Sequence, residues 1–298
     1  MEFLYSIIES FKDLTKKEIS RLSLINGIFW AVVWMVLGMF LWDYMINFTN
    51  FMINLLPFKF VQNAGAEFIF MILWLQAVLI SIGVFFTLFN NFLSKKIFSI
   101  VVAFLFAIFW LVIFMYYKEE ILGYLEKLIK IFPFESIEEA VSTVLAVFIF
   151  YSFYIVSMYL SFLLLSEKVI LKLIEEEYPF IEISSNFSKI KILYILLRDF
   201  VLFLIALVIL YPLLFVPFLN IFIIVGLWAF IIKNALFETV FSIIGEKITI
   251  NNKFIWGFSI ISVFLNFIPL VNLFAPALGL LSVYHYIMEK KIDLLEKE

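Results

Sequence analysis

The sequence predicts an all-α, polytopic membrane bundle with four long transmembrane helices and two helical hairpins that need only partly penetrate the bilayer. Three observations carry this. Apolar runs reach the roughly 20 residues that a helix needs to cross a hydrocarbon core about 30 Å thick. Charged residues make up 15% of the chain, against the roughly 25% typical of a soluble domain, and they fall mostly between those runs. Proline and asparagine interrupt the last apolar stretches, which are too long for one span and too short for two. With 65% hydrophobic residues and a mean hydropathy of +1.12, the solvent for most of this chain is lipid.

Residues 1–23 are expected as an amphipathic amino-terminal helix. Phe3, Leu4, Ile7, Ile8, Phe11 and Leu14 recur at helical spacing against Lys12, Lys16, Lys17 and Arg21, so this helix is expected to lie in the membrane surface with its basic residues toward headgroups. The segment lacks the basic stub, short apolar core and small-residue cleavage site of a secretory signal. Four spans follow within 24–165: Leu24 to Leu41 with an extension toward Phe48, Phe68 to Phe89, Phe98 to Tyr117, and Val141 to Leu165. Between them, Asn47, Asn50 and Asn54 form a polar stripe, and Ile121 to Phe132 reads as a second amphipathic stretch. The order of span, amphipathic stretch, Pro-Phe and span recurs at Pro57-Phe58 and Pro133-Phe134, the pattern of an internal repeat.

The first hairpin is expected over 192–243 and the second over 254–288, all within a single membrane domain, 1–298. In the first, the return arm from Ile221 runs only about a dozen residues before Lys233; at 1.5 Å per residue that is about 18 Å, too short to cross. In the second, Asn266, Pro269, Asn272 and Pro276 break the apolar run. With the amino terminus cytoplasmic, most Lys and Arg fall on that side and only Lys59, Lys118, Lys127 and Lys130 on the other, which places both termini in the cytoplasm.

The residue inventory argues against an enzyme. The chain holds one His and no Cys, so disulfides, thiolate chemistry and the usual zinc constellations are excluded, and no cofactor or metal is expected. His285 reads as an interfacial residue beside aromatic anchors, and Asp43 and Asp199 as residues near span ends. No phosphate-cradling glycine loop, Gly-x-Ser-x-Gly elbow or His-Glu-x-x-His is present, and a net charge of −3 gives no reason to expect nucleic acid. Polar side chains at membrane depth become the candidates. Arg198 and Lys233 are read as cations that attract an anion, with the competing reading that Lys233 snorkels or pairs with Asp199 or Glu238. Gln76 reads as an interhelical hydrogen bond.

The carboxyl-terminal part, with Tyr178-Pro179, Tyr211-Pro212-Leu213-Leu214-Phe215-Val216-Pro217-Phe218-Leu219-Asn220, Leu227-Trp228-Ala229-Phe230 and Phe267-Ile268-Pro269-Leu270-Val271-Asn272-Leu273-Phe274-Ala275-Pro276, resembles the etoposide-induced protein superfamily, which includes the bacterial CysZ-type sulfate permeases. The resemblance covers roughly Val141 to Met288. It implies a helical protein of the bacterial inner membrane with two partly inserted hairpins and, in the permease branch, homo-oligomers and proton-linked sulfate entry. Those permeases carry a Gly-Leu-Arg sulfate-binding segment near the first span. Here Arg21-Leu22-Ser23-Leu24 stands roughly there without the glycine, so Arg21 is a positional candidate only. The expected partners are the lipid bilayer, a small anion and further copies of the chain. Two functions compete: a permease or channel for sulfate or another small inorganic anion, and a membrane scaffold that shapes the bilayer or holds a partner. Convergence of Arg21, Arg198 and Lys233 on one water-accessible cavity favours the first, and scattered positions favour the second.

Overall fold

The structure, a computed structural model, describes residues 2–54, 73–82, 85, 96–121, 123–124, 137–181, 183–215 and 219–296. Among the described residues 89% are helical and none is in a strand. In chain order the helices are α1 (Glu2–Leu14), α2 (Lys17–Asn54), α3 (Leu73–Ile82), α4 (Lys96–Tyr116), α5 (Ile137–Leu165), α6 (Glu167–Glu177), α7 (Lys189–Leu210), α8 (Leu219–Ile244), α9 (Asn252–Phe264) and α10 (Ala275–Leu295). Among the described residues five helical segments are long and apolar enough to cross a membrane: Lys17–Asn54, Ser142–Leu165, Lys189–Leu214, Leu219–Ile244 and Val271–Leu295. The all-α membrane class read from the sequence is what the chain adopts.

Several boundaries differ from the sequence expectation. The segment expected as one helix over 1–23 is broken at Thr15 and Lys16, and α2 starts at Lys17. Asn47, Asn50 and Asn54 continue α2, which at 1.5 Å per residue is about 57 Å long. The span expected over Phe98 to Tyr117 coincides with α4 and that over Val141 to Leu165 with α5. Phe68 to Phe89 is described only at α3 and Phe85, and both Pro-Phe pairs of the repeat, with most of Ile121 to Phe132, lie outside the described residues. The return arm of the first hairpin does not stop at Lys233: α8 runs through it to Ile244, 26 residues in all. The helix tolerates this lysine because its ammonium lies over two aromatic rings. Asp199 is likewise not at a span end, since α7 begins ten residues earlier at Lys189 and carries it mid-helix.

The chain divides into two compact units, one formed by Met1–Phe40, Phe150–Ile209 and Val225–Glu298, the other by Leu41–Ile149 and Leu210–Ile224. In the first unit the most enclosed helix is α10, with 78% of its apolar window buried. Its small residues let neighbours approach: a Cβ on Gly279 would lie 2.9 Å from the Cβ of Ser262 on α9, and Ser282 meets Ser10 of α1 at 2.9 Å. Such close contacts matter because lipid gives no hydrophobic drive for helices to associate.

The seam between α2 and α5 in this unit is a ladder. Asn26, Trp30 and Trp34 stand at intervals of one turn; Asn26 donates to the Met158 carbonyl at 2.9 Å, Trp30 to Ser161 at 2.6 Å and Trp34 to Ser157 at 3.0 Å. Each such interhelical bond contributes about 0.6 kcal/mol.

The tip of the α9–α10 hairpin is two short 3-10 turns, Leu265–Phe267 and Val271–Phe274, separated by Pro269 and by Leu270, which has a left-handed φ of 68°. Protein, not lipid, satisfies the backbone freed there. Tyr151 donates to the Asn266 carbonyl, Asn272 donates to Tyr151 at 3.1 Å, and Ser262 donates to the Ala275 carbonyl at 2.9 Å. α9 starts on Asn251, whose side chain accepts from the Lys253 N–H, and Pro276 occupies the first turn of α10, where its missing N–H costs nothing.

The second unit is joined by similar bonds. Trp110 donates to Ser81 at 2.8 Å, Thr49 and Ser142 share a hydrogen bond at 2.7 Å, and Tyr211 donates to the Met52 carbonyl at 2.7 Å.

Candidate functional site

A connected group of ionisable side chains, with Asp13, His285 and Tyr284 buried and Lys16 and Glu177 partly exposed, forms where α1, α6 and α10 meet. The face of α1 that packs on α10 is its polar one, with Ser6, Ser10 and Asp13 all buried at i, i+4 and i+7. Much of its apolar side, Leu4, Tyr5, Ile8 and Phe11, is exposed, while Phe3 packs on Phe254 and Phe258 of α9. The helix is thus inside-out relative to a soluble one, and it packs against α10 where the sequence suggested a helix resting on the membrane surface. Only in lipid is an uncovered apolar stripe free of penalty, so the polar stripe takes the interior.

At the end of that stripe, Asp13 Oδ2 lies 2.7 Å from His285 Nε2, with side-chain exposures of 7% and 6%. The expectation of an interfacial histidine is therefore corrected: His285 is interior and bonded to a carboxylate. Lys16 Nζ bridges Asp13 Oδ1 at 2.9 Å and Glu177 Oε1 at 2.8 Å, and Tyr284 donates to Glu177 Oε2 at 3.2 Å. A continuous polar chain thus runs from His285 through Asp13, Lys16 and Glu177 to Tyr284.

Burial opposes ionisation of Asp13, but its bonds to His285 and Lys16 outweigh that and hold its carboxyl below the ordinary 3.8. Desolvation opposes the charge on Lys16, and its bonds to Glu177 and Asp13 overcome it, raising the ammonium above its usual range. Burial, with Glu177 next in effect, pushes the Tyr178 phenol up to about 12. Donor atoms of Asp13, Glu177 and His285 lie within 4.8 Å of one another, a spacing a metal ion accepts. The Lys16 ammonium already bridges the two carboxylates, so the protein's own cation offsets one of their two charges.

Around this junction the helix ends are tied by further ion pairs: Lys172 with Glu18 at 2.6 Å, Lys247 with Glu238 at 3.5 Å, Lys191 with Glu238, and Lys291 with Glu246 at 3.0 Å. Two clefts lie among these charges. One is lined by Lys16, Lys17, Glu18, Lys172 and Glu176, the other by Glu246, Lys247, Lys290 and Asp293.

The three cations singled out from the sequence are not brought together. Arg21 is exposed on α2. Arg198, 47% exposed, is paired with Asp199, 1% exposed, at 2.7 Å, and Asn234 of α8 donates to the other Asp199 oxygen at 2.7 Å. Lys233 lies over the rings of Phe230 at 5.1 Å and Trp256 at 4.6 Å. It forms no ion pair with Asp199 or Glu238, the partners the sequence offered. None of the three lines either cleft.

Sequence reasoning passed over Asp13 and Glu177 and read His285 as interfacial. The available signal was the Ser6, Ser10, Asp13 stripe, which points a carboxylate to the interior once the apolar stripe is assigned to lipid. Comparison with protein-family models, curated proteins and solved structures gave no match.

Proposed function

We propose that this chain is a non-catalytic, bilayer-embedded scaffold of the bacterial inner membrane, with both termini cytoplasmic, whose charged helix ends present a surface to a partner. One observation carries the reading: Arg21, Arg198 and Lys233 do not converge on a cavity. One is exposed, one is neutralised by its neighbouring aspartate and one is held over aromatic rings. An anion pathway needs cations or backbone amides gathered at one shared site to replace hydration together. The orientation is supported by the ion pairs of α1, α6, α8 and α10, which tie Lys-bearing helix ends to one another, as expected of a cytoplasmic face. Homo-oligomerisation belongs to the same proposal.

The CysZ-like reading, a permease or channel for sulfate or another small anion, stands second. It is favoured by one feature, the Arg198, Asp199 and Asn234 cluster at mid-helix on α7 and α8, since ionisable groups at such depth commonly mark ion paths. Uptake of radiolabelled sulfate into proteoliposomes separates the two. The scaffold reading expects folded, inserted protein to give no saturable uptake above empty liposomes. Saturable uptake that is lost in Arg198→Ala or Lys233→Ala overturns it in favour of the permease.

A further inference from the structure

Lys233 and Lys253 differ from five lysines at the charged helix ends and share their lack of an ion pair, among the described residues, with Lys17, Lys168 and Lys189. Lys16, Lys172, Lys191, Lys247 and Lys291 each pair with a carboxylate, whereas among the described residues neither Lys233 nor Lys253 does. One lies over an indole that the other precedes by three residues in sequence. Lys233 Nζ is 4.6 Å from the Trp256 ring, and Lys253 precedes Trp256 by three residues on α9, the spacing that puts two side chains on one helix face.

The helices here are antiparallel neighbours. Phe237 meets Phe258 at 6.3 Å, and Trp228 meets Phe267, just beyond α9, at 5.3 Å. Depth follows from the helical rise. Lys233 is five residues, about 7.5 Å, inward of Glu238, which holds Lys191 and Lys247 at the charged end. Trp256 is three residues, about 4.5 Å, inward of Lys253. The pattern descends from exposed charge, through an indole, to a caged ammonium over the thickness of a headgroup layer.

Below this mouth the seam is apolar and open. Phe230 and Phe264 are half-buried, and a Cβ on Gly226 would meet nothing within 4 Å, which leaves a notch on the α8 surface. The Trp256 indole N–H makes no hydrogen bond to another described residue and remains a donor.

We propose that this seam binds an anionic phospholipid, with the phosphate between Lys233 and Lys253, Trp256 at the glycerol level, and an acyl chain along Phe230, Gly226 and Phe264. Charge complementarity selects the occupant: two cations without an ion pair, above an apolar notch, match a headgroup and chain in one molecule. A zwitterionic lipid lacks the net charge, and inorganic phosphate lacks the chain. The site goes beyond the scaffold reading and does not depend on it.

The test is native mass spectrometry of the full chain, purified in detergent, with phosphatidylglycerol or phosphatidylcholine added at equal concentration. Phosphatidylglycerol is expected to be retained preferentially, with about fivefold of the preference from each lysine. Lys253→Gln, at the exposed start of α9, removes about fivefold, and Lys233→Gln with Lys253→Gln removes about 25-fold. Lys172→Gln, a lysine paired elsewhere, leaves the preference unchanged. Gly226→Leu fills the notch and lowers retention with every charge intact. Circular dichroism and size exclusion report whether each variant is folded. Equal retention of both lipids, an unchanged preference in the folded double variant, or displacement of the lipid by millimolar inorganic phosphate overturns the proposal. Lipid retention is read without any transport assay, so its outcome is separate from that of sulfate uptake.

Discussion

Asp13→Asn tests whether the polar junction holds α1 in place. The substitution keeps the shape of the side chain and removes the charge that faces both His285 and Lys16. The bond to His285, 2.7 Å between two groups under 8% exposed, is a buried bond to a charged acceptor, worth about 1.5–3 kcal/mol. The bond to Lys16 counts for less, because that side chain is 39% exposed and keeps Glu177 at 2.8 Å; an exposed pair of this kind contributes about 0–1 kcal/mol. The expected loss is therefore about 2–3 kcal/mol, most of it from the histidine side.

For a chain of 298 residues that corresponds to a fall of about 3–5 °C in Tm, read by tryptophan fluorescence in detergent. The pH dependence follows from the direction of the shift. Asp13 is held below its ordinary 3.8 in the folded protein, so its contribution is complete above that pH and fades as pH falls through the lower folded value. Titration of Asp13 itself thus adds no pH dependence at neutral pH, and the gap between wild type and Asp13→Asn closes only below pH 3.8. A variant with wild-type Tm at pH 7 would refute the assignment of the junction as a structural tie.

Two further substitutions test the helix seams. Asp199→Ala leaves the Arg198 guanidinium without its carboxylate at mid-helix and should cost about 3 kcal/mol or more, whereas Arg198→Ala with Asp199→Ala removes both charges and should recover part of that loss. Denaturation in mixed micelles measures both, and a double variant no more stable than the single one contradicts a charge-pair origin. Gly279→Ala pushes a methyl into Ser262, whose hydroxyl is fixed by Tyr159 and the Ala275 carbonyl. It should cost about 1–3 kcal/mol by overpacking, with partial restoration by Ser262→Ala in the same assay. An unaffected Tm in Gly279→Ala would mean that α9 and α10 separate without cost.

The sequence by itself determined that lipid is the solvent, that the fold is all-α, and where most apolar helices run, because these depend on local composition and on the length needed to cross a hydrocarbon core. It also located the hairpin tip near Asn266, Pro269 and Asn272. Only the tertiary structure decided which face of each helix is interior. In water the apolar stripe of α1 would mark its buried side; in lipid that stripe is free to face outward, and Ser6, Ser10 and Asp13 took the inside. The same ambiguity hid His285, whose partner lies 272 residues away, and made Lys233 look like the end of a helix when two aromatic rings let α8 run past it. Hydropathy reports how well a segment dissolves in the bilayer. It is silent on which distant carboxylate, ring or serine a buried polar group meets, since that is fixed only when the helices pack.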